Sequence, residues 1–280
     1  MTRAGDWLVT ERMKDDKAAR ASQPAKNRLR LALAAALAFS ALAYWQIGTI
    51  LIERELVMTS PDEVSRVPRL VTYATDMGQS LYTANCASCH GADMKGSEAR
   101  GVPNLSDAIW LYDFGRVSDI ERTVLYGIRS GHPKSHNVTD MPALGLQKAI
   151  DPGEIRDVMA FMRSLSAITG GADADAIARG ERIFQDKGVC YDCHGRDGTG
   201  STDYGAPNLA DGEWIYGGGE EQVYSSIYDG RHGQCPAYIG KLTFAEIRAL
   251  SVYIHESSQE SPDAPKPEVA GAPASGKTAG

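Results

Sequence analysis

The segment Cys86-Ala-Ser-Cys89-His90-Gly91 returns 104 residues later as Cys190-Tyr-Asp-Cys193-His194-Gly195. Pro103-Asn104-Leu105 returns as Pro207-Asn208-Leu209 at the same offset, and Trp110 and Tyr112 return as Trp214 and Tyr216. Gly127 answers to Gly230. After extra residues in the first copy, roughly His132 to Thr139, Met141-Pro142-Ala143 lines up with Cys235-Pro236-Ala237. Matches that keep their order along the chain mark two copies of one domain, not a solenoid.

Four of the five cysteines occupy these two CxxCH segments, which carry the spacing of covalent heme attachment. One helical turn separates the two thiols, which suits the two vinyl groups at one heme edge, and the adjacent histidine reaches the iron from one face. A zinc or thiol-redox pair would share the CxxC spacing. It would not explain a histidine, a glycine and the same Pro-Asn-Leu downstream in both copies. The cysteines Cys86, Cys89, Cys190 and Cys193 and the histidines His90 and His194 are therefore the first candidate residues, for two covalently bound hemes c. No cysteine pair remains for a structural disulfide, and no pattern of nucleophile or general acid–base residues is present, so no catalytic residue is assigned.

The 22 residues Leu31–Ile52 carry no charge. As a helix they reach about 33 Å at about 1.5 Å per residue, against a hydrocarbon core of about 30 Å. Residues 1–30 hold eight Lys/Arg against four Asp/Glu, while the whole chain has a net charge of −7, so everything after the apolar stretch is acidic. A basic head, an apolar stretch and an acidic body suggest a membrane crossing, not nucleic-acid binding. Lys26, Arg28 and Arg30 just before the stretch place the N-terminus in the cytoplasm and export the body. A cleaved signal ending at Ala41-Leu42-Ala43 would export it too. The expectation is a single-pass anchor in the bacterial inner membrane with the body in the periplasm.

The domain boundaries follow: a basic segment 1–30, a transmembrane helix 31–52, a linker 53–71, a first domain 72–168, a second 172–257 and a disordered tail 258–280 rich in Pro, Ala, Ser and Gly. A Gly-rich joint, Thr169-Gly170-Gly171, separates the two domains. Each opens with a short helical pattern (Leu81, Tyr82; Ile183, Phe184) and closes with a capped helix. Asp151-Pro152-Gly153-Glu154 and Thr243-Phe244-Ala245-Glu246 are capping boxes. The apolar stripes Ile155, Val158, Phe161, Met162 and Ile247, Leu250, Tyr253, Ile254 follow at helical spacing. No alternating strand pattern of useful length occurs, so the fold class is all-α.

The attachment segments with their Pro-Asn-Leu partners resemble class I c-type cytochromes. The resemblance implies that the carbonyls of Pro103 and Pro207 accept from the proximal histidines. Met141 is the expected sixth ligand of the first heme, since a thioether raises the potential. Met159 and Met162 read as core, Met94 lies too close to the attachment site, and His132 and His136 read as solvated loop residues. The second copy has no methionine. Its aligned residue is Cys235, whose thiolate would lower the potential of the second heme. His232, or an iron left open beside a merely packed Cys235, are the alternatives. Arg129, Arg231 and the paired Trp and Tyr residues are candidates for propionate or pocket contacts.

With the anchor, Leu81-Tyr82, Pro103-Asn104-Leu105-Ser106-Asp107, Trp110-Leu111-Tyr112 and Trp214-Ile215-Tyr216-Gly217, the chain resembles the diheme subunit III of cbb3-type cytochrome c oxidases from about Leu31 to Ser257. The resemblance implies an electron-transfer subunit that does no catalysis of its own. It further implies a monoheme cytochrome and a catalytic subunit as partners, and a periplasmic cytochrome c or a quinol-oxidising complex as donor. Membrane lipid is the remaining partner and nucleic acid is excluded. The departure at Cys235 keeps two other readings open: an independent membrane-bound diheme shuttle, and a diheme sulfur-compound oxidoreductase with a Cys-ligated heme.

Overall fold

The computed structural model describes residues 5–165 and 173–259, with side chains from Asn27 onward. The expected joint Thr169–Gly171 and the tail beyond Gln259 lie outside the described residues, as do the side chains of most of the basic head. Among the described residues the chain is helical, with no strand. It divides into two units, Met1–Glu55 and Leu56–Gly280.

The first unit is most of α1 (Gly5–Met58). Within it Asn27–Met58 is long and apolar enough to cross a membrane. Leu31, Leu37, Tyr44 and Trp45 along it are exposed. Such a surface is costly in water and suits lipid, and the chain is membrane-anchored through it. The helix outruns the expected 31–52.

The expected linker 53–71 is likewise not loose. Leu56, at the end of α1, and Val64, in a 3-10 turn over Pro61–Arg66, are both fully buried. Proline at the first position of α2 (Pro68–Asn85) then restarts the helix directly. The second unit continues with the attachment turn α3 (Ala87–His90), α4 (Val117–Tyr126), α5 (Pro152–Leu165), α6 (Ala174–Gln185), the second attachment turn α7 (Tyr191–His194), α8 (Glu220–Asp229) and α9 (Phe244–Gln259). Both capping boxes form: Glu154 accepts from the Asp151 N–H while Asp151 accepts from Glu154, and Thr243 and Glu246 do the same.

The packing does not follow the sequence repeat. The opening helix α2 of the first copy packs on α9, the closing helix of the second, and α6 packs on α5. Glycine permits both crossings. A Cβ on Gly78 would strike Ala249 and Tyr253 of α9, and one on Gly180 would strike the Asp157 carbonyl of α5. Two cores result. One joins Tyr82, Met94, Ile120, Val124 and Leu125 of the first copy to Ile247, Leu250 and Ile254 of the second. The other joins Ile155, Val158, Met159, Phe161 and Met162 to Phe184, Leu209, Val223 and Ile227. Each copy donates its closing helix to the other, so domains with boundaries at 72–168 and 172–257 are units of sequence and not of packing.

Candidate heme sites

Each attachment segment is a helical turn laid against one core. Cys86 and Ala87 flank the first core, and Cys190 and Tyr191 the second. Burial, reinforced by Cys235 and Cys89, pushes the Cys86 thiol up to about 12, and burial pushes Cys190 up to about 11. The walls are apolar, as a porphyrin face requires.

His90 and His194 point their Nδ1 atoms at the carbonyls of Pro103 and Pro207, each at 3.0 Å. A carbonyl only accepts, so Nδ1 carries the proton and Nε2 keeps its lone pair. Burial holds both rings below the ordinary histidine range, so they stay neutral. Two thiols one turn apart, a neutral imidazole with an unprotonated Nε2 and apolar walls together fit a covalently held heme in each copy. A cavity of about 500 Å³ lies where the two supporting loops converge, lined by Pro103, Asn104 and Trp110 and by their counterparts Pro207, Asn208 and Trp214.

The loops that carry Cys235 and Met141 cross between the copies. Cys235 exchanges backbone hydrogen bonds with Ile128 of the first copy, N to O at 2.9 Å in both directions. Its thiol is pushed up to about 11 by burial and by Cys89, and its charge is felt at Cys86. Met141 exchanges the equivalent bonds with Arg231 of the second copy, at 3.0 and 3.2 Å, and packs on the core that holds Cys190. Chain order leads one to expect Met141 beside His90 and Cys235 beside His194. The structure sets Cys235 with the first attachment pair and Met141 with the second. The physical reason is the exchange of closing halves: the loop carrying each residue travels with its closing helix into the other core.

His232 turns away, exposed, with Nδ1 2.7 Å from Asp140. Met94, Met159 and Met162 are buried core residues. Of the two loop histidines expected in solvent, His132 is half-exposed and His136 is buried. His132 stacks on Tyr126, with centroids 4.8 Å apart. His136 is 7% exposed, stacks on Tyr112 at 4.4 Å and lies 3.5 Å from Asp113. No periodic signal in the inserted loop marked it. Arg129 is committed to the Gly233 carbonyl (2.5 Å), the Thr139 carbonyl (3.0 Å) and the Tyr112 hydroxyl (3.2 Å). Arg231 lies over the Tyr216 ring at 4.4 Å.

Residues 75–166 match the family model described as cytochrome c, and residues 175–254 match that of cytochrome c oxidase, cbb3-type, subunit III. Among curated proteins the chain is similar to the cbb3-type cytochrome c oxidase subunit FixP of Bradyrhizobium sp. (strain ORS 278). The two are 38% identical over 200 residues, covering 71% of this chain and 67% of the relative. It is also 38% identical over 206 residues to subunit CcoP of Cereibacter sphaeroides, covering 73% and 68%. A CcoP of Rhodobacter capsulatus is 34% identical over 212 residues, covering 73% and 69%. The duplicated attachment turns, their carbonyl-bonded histidines and this likeness along both copies agree: the chain belongs to the subunit III family of cbb3-type cytochrome c oxidases, whose cytochrome c domains carry covalently bound heme.

Proposed function

We propose that this chain is the membrane-anchored electron-transfer subunit of a cbb3-type oxidase, with its body on the periplasmic face of the inner membrane. The observation that carries the reading is the pair of neutral, carbonyl-bonded imidazoles, His90 and His194, each one residue past an attachment cysteine. Heme iron, when bound, supplies a one-electron couple at each position. The protein's part is to bind, orient and exclude water. Cys86 with Cys89, and Cys190 with Cys193, hold the ring edges. Pro103 and Pro207 fix the histidine tautomers. His90 with Cys235 would hold one heme, and His194 with Met141 the other.

A thioether raises a heme potential and a thiolate lowers it. His194 and Met141 therefore define a high-potential centre, and His90 and Cys235 a low-potential one. This reading moves the unusual centre from the second attachment site to the first. It also asks for a donor of lower potential than an ordinary cytochrome c, or for a quinol-oxidising complex. A monoheme cytochrome and the catalytic subunit are the expected partners in the membrane.

Ferric EPR combined with potentiometric titration of the heme-loaded full chain tests the assignment. Cys235→Met should convert one low-spin species to a His/Met type and raise its potential, while Met141→Ala should alter only the other species. Unchanged spectra in Cys235→Met would sink ligation by Cys235. Cys235 also favours one second reading, a diheme oxidoreductase of sulfur compounds, which turnover of thiosulfate by the purified chain would support.

A further inference from the structure

Two tyrosines make close contacts between the two copies. Tyr112 of the first copy is 9% exposed and packs its phenol edge on Gly205 of the second, where an added Cβ would overlap Cζ and come within 2.5 Å of the hydroxyl oxygen. Tyr216 of the second copy lies on Gly101 of the first in the same way. The two glycines are equivalent in the repeat, and both adopt left-handed backbone, with φ of +66° and +61°. No side chain could replace the hydrogen at either position without moving the ring or the loop.

These glycines sit two residues before the prolines whose carbonyls hold the histidines. Gly101-Val102-Pro103 ends on the acceptor of His90, and Gly205-Ala206-Pro207 ends on the acceptor of His194. Each loop is also held by backbone hydrogen bonds, and the first by Arg100 as well, which donates to the carbonyls of Ser88 and Cys89 at 3.2 and 2.6 Å. Ser97 and Val102 exchange bonds at 2.8 and 3.0 Å, and Ser201 and Ala206 at 2.9 and 3.0 Å. The tyrosines themselves are fixed from behind. Tyr112 stacks on His136 and its hydroxyl accepts from Arg129. Tyr216 carries the Arg231 guanidinium over its ring.

We propose that Tyr112 and Tyr216 are crossed positioning residues. Tyr112 sets the carbonyl that orients His194, and Tyr216 sets the one that orients His90. The direction and length of the Nδ1–H···O bond govern how basic Nε2 is toward a metal. Each copy therefore tunes the proximal histidine of the other through a ring that touches neither heme ligand. The proposal rests on the reading of His90 and His194 as iron ligands.

The test uses the heme-loaded full chain. His90→Met and His194→Met first assign the two ferric EPR signals, since each should remove one of them. If neither does, the histidine reading has failed, and the brace falls with it. With the signals assigned, Tyr112→Leu should shift the g-values of the centre attached through Cys190 and move its reduction equilibrium by about tenfold, about 59 mV for one electron. The centre attached through Cys86 should stay as it was. Tyr216→Leu should do the reverse. Tyr112→Phe and Tyr216→Phe keep the ring carbons nearest glycine, Cζ and Cε1, and should restore both signals. A change confined to the centre of the tyrosine's own copy, an equal change in both centres, or no change in either would overturn the proposal.

Discussion

A single residue, Cys235, separates the two centres, and its neighbours determine what it can do. Its thiol is half-buried, and desolvation and the neighbouring Cys89 push it up, so it keeps its proton unless a metal replaces it. The substitution was plain in the sequence, because the repeat aligns Cys235 with Met141. Its partner was not, because alignment says which residues correspond and nothing about which core they enter. His136 makes a second point at this scale. Burial, and then the positive charge of Arg122, hold it below its ordinary value of 6.5. The folded chain keeps the ring neutral while the unfolded chain takes up a proton near 6.5, so folding is favoured above that pH and weakened as the pH falls through it. His136→Asn should remove this part of the pH dependence. Denaturant midpoints of the variant and the parent on either side of pH 6.5 would measure it, and parallel slopes would refute it.

At the scale of the element, the helices were readable and their partners were not. The capping boxes predicted where α5 and α9 start and the apolar stripes which face each buries, because caps and period are local. That α9 should cover α2 depends on contacts far apart in sequence, which no local pattern encodes. One such contact is Arg248 of α9. It is buried, pairs with Glu121 of α4, and donates to the carbonyls of Leu56 (3.0 Å) and Thr59 (2.6 Å) at the end of α1. The segment expected to be a linker is thereby fastened to the first core. Asp62 adds to the hold by accepting from the backbone and hydroxyl of Ser118, each at 2.9 Å. Removing Arg248 strands Glu121 and two carbonyls together. Arg248→Met should cost about 3–5 kcal/mol, the usual price of breaking a buried pair on one side. Chemical denaturation would show it as a lower midpoint at unchanged slope, and a loss below about 1 kcal/mol would mean that water re-satisfies the site.

For the molecule as a whole, the repeat announced two domains and the chain delivers two cores, each assembled from both halves. Expressed separately, a half ending at Leu165 and a half starting at Asp173 should each fail to give a low-spin ferric spectrum, while co-expression should restore it. Normal spectra from the isolated halves would show that each copy can close on itself. The exchange also bears on how the protein is made. The first attachment segment leaves the ribosome early, but the helix that buries it, α9, comes last. At about 5–20 residues per second the wait is on the order of ten seconds or more. Cys190 has no such delay, because α5 is already made when it emerges. The enzymes that join heme to Cys86 and Cys89 therefore meet an open stretch of chain, and at Cys190 and Cys193 they must work before a ready-made wall closes over them.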